Sequence, residues 1–218
     1  MSNDIQPAKR GRPARSQEQT VELIVSGATR LLLSQGYSAT TMEAVAAHCG
    51  LAKKTLYRFA ANRSELVGLV IGSWTQGFAD LFDEDPLAAD DLLAVLGRLL
   101  GAVADRALSD DAVGLFKLLT QDFAERSLAL EAYQANGIEH ATLLLANWLS
   151  RQAVRGLVTI AQPQVLARMI LSLVIAEPLR RRALGLELAD DRATVASQIE
   201  GCMQLLSGQA FSLKAACR

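Results

Sequence analysis

Within the six positions from Lys53 to Arg58 stand Lys53, Lys54, Thr55, Tyr57 and Arg58. Lysine and arginine neutralise phosphates and release their counterions. Threonine and tyrosine hydroxyls hydrogen-bond phosphate oxygens and fix register, and arginine or lysine can donate to guanine O6 and N7. Leu51, Leu56 and Phe59 interrupt the polar run at helical spacing, so the polar groups share one face with an apolar stripe behind. Arg63 adds a further charge near a helix start at Asn62. This is the chemistry of a phosphodiester duplex.

The rest of the chain offers little rival chemistry. There is no GxSxG, HExxH, P-loop or GxGxxG run, and no Ser-His-Asp or Cys-His set with useful spacing. Cys49, Cys202 and Cys217 are odd in number and far apart, and they make no metal-ligand pattern with His48 and His140. No metal, cofactor or catalytic group is therefore expected. An all-α enzyme with an incidental basic head is the remote alternative. No signal peptide or bilayer-spanning stretch is visible, so the expectation is a cytoplasmic protein without membrane partners.

The elements that must carry these side chains are helices. The sequence is rich in Leu and Ala, poor in aromatics, and half hydrophobic. Val21, Ile24, Val25, Ala28, Leu31 and Leu32 begin a helical pattern at Gln17 that Gly36 should stop. Thr40 and Glu43 have the spacing of a capping box for a short helix, with Met42, Val45, Ala46 and Cys49 on one face. Gly50 ends it, a third short helix covers about Ala52 to Phe59, and Asn62 with Glu65 opens a fourth. Two short helices about a glycine turn over residues 40–59 form a helix-turn-helix, whose second helix enters a major groove. Further helices are predicted from the Asp85-Pro86 cap to Leu108, Ser109 to Glu125, Leu128 to Arg155, Pro163 to Leu184 and Asp190 to Phe211. No strand is expected. The fold class is all-α with about nine helices: a helix-turn-helix head, then a larger helical body.

The quoted head residues resemble the TetR family of repressors. The matching run is Gly36-Tyr37, then Thr40-Thr41-Met42-Glu43-Ala44-Val45-Ala46, then Gly50-Leu51-Ala52-Lys53-Lys54-Thr55-Leu56-Tyr57-Arg58, then Asn62-Arg63-Ser64-Glu65-Leu66. The resemblance implies a three-helix DNA-binding head with DNA contacts at Thr41, Lys53, Lys54, Thr55, Tyr57 and Arg63, followed by a helical ligand-binding and dimerisation domain that makes a homodimer and binds a small-molecule effector. Two departures stand out. Ala60 replaces the usual aromatic residue, with Phe59 as a substitute for its bulk. Ala52 replaces a common serine cap, which weakens that cap by roughly 1 kcal/mol.

The predicted organisation is a flexible basic arm over 1–16, the reading head over 17–77 and the body over 78–218. Met1–Val70 carries nine basic and five acidic residues, the remainder thirteen and eighteen, so a basic head sits on an acidic body. In the arm, Lys9-Arg10-Gly11-Arg12-Pro13 looks like an AT-hook core, with Arg10 and Arg12 entering a narrow minor groove.

In the body, Phe116, Gln121, Tyr133, His140, Asn147 and Trp148 are the polar and aromatic groups that could line an effector pocket. The stretch from Val165 to Ile175 is apolar nearly all round, and Val195, Ile199, Met203 and Leu206 recur on the last helix. Leu166, Ile170 and Leu173 with those four are the expected dimer contacts, pairing two helices with their symmetry mates. The expected function is a ligand-responsive repressor on a palindromic operator. The alternative is a ligand-free regulator whose body only dimerises or holds a protein partner.

Overall fold

A computed structural model describes residues 15–186, 191–207 and 212–213. Among the described residues nine helices follow one another: α1 Gln17–Ala39, α2 Met42–His48, α3 Lys53–Tyr57, α4 Arg63–Leu81, α5 Leu92–Ala107, α6 Asp110–Thr120, α7 over 126–154, α8 over 163–183 and α9 Asp191–Leu205. Two short strands, Val158–Thr159 and Ser212–Leu213, pair antiparallel where none was expected. Two residues per strand give too little ladder to alter the all-α class.

Local chemistry sets most boundaries. Ser16 and Gln19 form a capping box that starts α1. Gly36, at φ 79°, breaks its helical path, and only glycine adopts that conformation cheaply. The box expected at Thr40 is absent. Thr41 is the N-cap of α2, accepting from Ala44 N, while the buried Thr40 hydroxyl donates to Gly36 O. Burial decides between the two: Thr40 must satisfy its hydroxyl inside the fold, which leaves the solvent-facing Thr41 to cap.

The helix expected from Pro86 begins later, after one 3-10 turn at Ala89–Asp91. Asp85 is not a cap because α7 claims its carboxylate. The Gln152 amide donates to it at 2.7 Å, with Arg151 and Arg155 at 3.3 and 3.6 Å. Glu177 pairs with Arg180, whose guanidinium donates to it at 2.8 and 2.7 Å.

α7 and α8 each contain a π-helical turn, at Gln134–Glu139 and Ser172–Ala176. In α8 the turn precedes Pro178, whose ring and missing N–H disfavour a regular α-helical ladder there. In α7 it brings Gly137 against Ile71 of α4, and the Thr75 hydroxyl donates to Asn136 O at 2.9 Å.

Three apolar clusters hold the chain together. The head cluster joins Ile24, Ala28, Met42, Val45, Leu56, Ala60, Leu66 and Val70. The body cluster is centred on Leu96, Leu100, Leu145, Trp148, Leu149 and Ile170. The third lies between them and mixes Leu32, Tyr37, Val67 and Ile71 with Leu115, Leu118, Leu119 and Ala129. The head is therefore packed on the body through α1, α4, α6 and α7 rather than tethered by a linker.

Candidate nucleic-acid interface

The turn between α2 and α3 is built by hydrogen bonds. Leu51 N donates to Ala46 O at 2.8 Å and Gly50 N to Ala47 O at 3.1 Å, around Gly50 at φ 60°. This is a Schellman ending, which satisfies the last carbonyls of α2 and redirects the chain into α3. Ala52 at the start of α3 makes no side-chain cap, as its apolar side chain dictates. Fully buried Leu56 fixes α3 to the head. Ala60 is buried too, and half-buried Phe59 packs against the same cluster.

With Leu56 turned inward, the opposite face of α3 is open. Lys53, Lys54, Tyr57 and Arg58 are exposed, and Thr55 is half-buried. The Arg58 guanidinium lies 5.5 Å from the centre of the Phe59 ring. Thr41 is exposed beside them on the first turn of α2, where its oxygen accepts from Ala44 N and its O–H remains available to donate. These five side chains and Thr41 form one polar, cationic surface.

One cation on that surface is already engaged. Lys53 Nζ lies 3.1 Å from Glu43 Oε1, with both side chains more than half exposed. A backbone hydrogen bond and that of Lys53 hold the Glu43 carboxyl below its usual range. Lys54 has no ion-pair partner among the described residues.

Arg63 departs most from expectation. It begins α4 after the Asn62 cap, which accepts from Glu65 N at 2.9 Å. Its guanidinium points to the body, donating to Glu125 Oε1 at 3.0 Å and to Tyr37 O at 3.4 Å, with the Tyr37 ring 4.8 Å away. Arg10 and Arg12 lie outside the described residues.

The six pocket candidates do not converge. Phe116 and Tyr133 face each other, ring centres 6.3 Å apart. Gln121 and Asn147 are at the surface and His140 is half-buried. Trp148 is wholly buried in the body cluster, where its Nε1–H donates to Glu84 O at 2.8 Å, so its polar handle is spent on the fold. A cleft of about 1340 Å³ runs instead between α1 and α4, past Thr29, Leu33, Ser73, Trp74 and Gly77.

The dimer candidates divide in the same way. Ile170 and Leu206 are in the core of the protomer and so closed to a partner. Leu166, Val195, Ile199 and Met203 are partly buried against that core. Leu173 is half exposed, and Val165 and Met169 share its row on α8. The exposure of these two was not readable from the sequence, because periodicity marks a helix as apolar without saying which side its own chain covers.

Two family models match the chain: bacterial regulatory proteins of the tetR family over residues 24–70, and the C-terminal domain of AefR-like transcriptional repressors over residues 94–206. No curated relative matches. Among solved structures, the chain resembles a TetR transcriptional regulator from Agrobacterium tumefaciens (19% identity, 88% of this chain and 95% of that one, TM-score 0.68). It also resembles the flavonoid-responsive regulator FrrA (24%, 91% and 100%, TM-score 0.62) and SmeT in complex with triclosan (18%, 92% and 98%, TM-score 0.62).

Proposed function

Since the chain belongs to the TetR family and is a DNA-binding transcriptional regulator, we propose that it is a ligand-responsive repressor that grips a palindromic operator as a homodimer. The open cationic face of α3 carries this reading. Lys53, Lys54, Tyr57 and Arg58 are exposed toward a duplex only because Leu56 anchors the helix from behind. Residues 17–77 are the reading head and residues 78–218 the body that dimerises and takes the effector. Thr41 donates its O–H to a phosphate.

The dimer forms along α8, where Val165, Met169 and Leu173 lie at a spacing of four on one exposed row. A row of this kind needs a cover in water, and a two-fold axis supplies one with the same row. FrrA, named as flavonoid-responsive, and SmeT, solved with triclosan, support the sensing role. The effector enters the body near Phe116 and Tyr133 and favours a head arrangement that no longer matches two half-sites.

Selection of duplexes from a random pool tests the DNA reading: a palindrome should emerge, and its failure to do so removes the repressor assignment. The dispersal of the six pocket candidates favours one alternative, a regulator whose body takes no small molecule. Melting across a panel of planar aromatic compounds separates the two, because a ligand selective for the folded state raises the midpoint.

A further inference from the structure

We propose that Glu125 is the positioning residue of the reading head, acting through Tyr37 and Arg63; this rests on the DNA-binding reading of α3. Tyr37 lies just before the helix-turn-helix, and Arg63 just after it. Both converge on one carboxylate from the body. The Tyr37 hydroxyl donates to Glu125 Oε2 at 3.1 Å and Arg63 Nη2 to Oε1 at 3.0 Å. The motif is thus held at both ends by a single side chain in the connection between α6 and α7.

The surroundings make the grip stiff. The Tyr37 ring is buried and stacks on Phe123 at 4.3 Å between centres, with the Arg63 guanidinium on its ring. Ser64, beside Arg63, donates to Leu128 O of α7 at 3.0 Å. Arg126 Nε donates to Leu119 O at 3.1 Å, tying the connection to the end of α6.

Glu125 has φ 67°, the one left-handed non-glycine residue among those described. Such a conformation is unfavourable for glutamate and persists only where the surroundings hold it. Here those surroundings are the head. Any movement of the α6–α7 connection must therefore break the Tyr37 and Arg63 bonds or carry the helix-turn-helix with it.

A positioning role makes a prediction that simple stabilisation does not. In a dimer, the orientation of each head on its body fixes the separation of the two recognition helices, and so the half-site spacing accepted. The test takes the palindrome that the wild-type protein selects from a random pool and a copy expanded by one base pair at its centre. The wild-type protein should prefer the first strongly. Glu125→Gln removes the charge, and Glu125→Asn removes the reach while tolerating the left-handed backbone. Both should reduce that preference at least fivefold, with Tyr37→Phe intermediate.

A second arm needs no DNA. Amide exchange in Glu125→Gln should rise together at residues 63–67 and 126–130. Variants that melt earlier yet keep the wild-type spacing preference and a wild-type exchange pattern would overturn the proposal. If the wild-type protein selects no palindrome, the repressor reading fails, and the exchange arm alone still decides whether Glu125 holds the head.

Discussion

Replacing Lys53 and Lys54 with alanine should flatten the salt dependence of operator binding, and the structure says how the effect divides between them. Each lysine that neutralises a phosphate adds about 0.9 to the slope of log affinity against log salt. Losing both contributions lowers the slope by about 1.8, so a rise from 50 to 200 mM salt, fourfold, should weaken the double variant about tenfold less than the wild-type protein.

The two contributions differ because Lys53 must first leave Glu43, 3.1 Å away, whereas Lys54 has no ion-pair partner to give up among the described residues. Lys54→Ala alone should therefore cost more affinity than Lys53→Ala. Glu43→Gln frees Lys53 and removes a carboxylate from the phosphate-facing surface. It should strengthen binding, though by no more than about fivefold, since exposed ion pairs are weak. Fluorescence anisotropy on a selected duplex at several salt concentrations reads all four variants beside the wild-type protein. The substitutions are at exposed helical sites and alanine is the best helix former, so melting should hardly change. An unaltered slope in the double variant would refute the argument that this face meets the duplex backbone.

Further predictions follow from packing and titration. Leu56→Ala should destabilise the head by about 2–5 kcal/mol, seen in denaturant melts, and abolish operator binding, because a wholly buried side chain anchors α3. In Gly27→Ala an added Cβ would overlap the Cys49 sulfur between α1 and α2, so melting should show a loss of about 1–3 kcal/mol. Met169→Glu with Leu173→Glu should shift sedimentation from dimer to monomer, since charges cannot pair across a two-fold apolar row.

Burial and the hydrogen bond to Glu125 push the Tyr37 hydroxyl up to about 12 from its ordinary 10.0. The folded state then keeps the phenol neutral while the unfolded chain releases its proton. The associated stability is complete below pH 10 and is lost as pH rises toward 12. Tyr37→Phe should flatten that alkaline decline in stability curves.

The helix-turn-helix was legible in the sequence because everything that makes it is local. Gly36 and Gly50 stop helices, Asn62 starts one, and the spacing of Met42, Val45, Leu56 and Leu66 states which side turns inward. Each signal acts within a few residues and competes with nothing distant. The partners of Arg63 and Asp85 were not legible. They stand sixty or more positions away, Glu125 for one and Gln152 and Arg151 for the other, and a carboxylate's choice among cations depends on which helices meet. The same holds for α8. Its sequence is apolar on several sides, and only packing against the body decided that Ile170 would be covered while Met169, its neighbour in the chain, would face outward. Periodicity is a property of one helix, whereas burial and ion pairing are settled between helices.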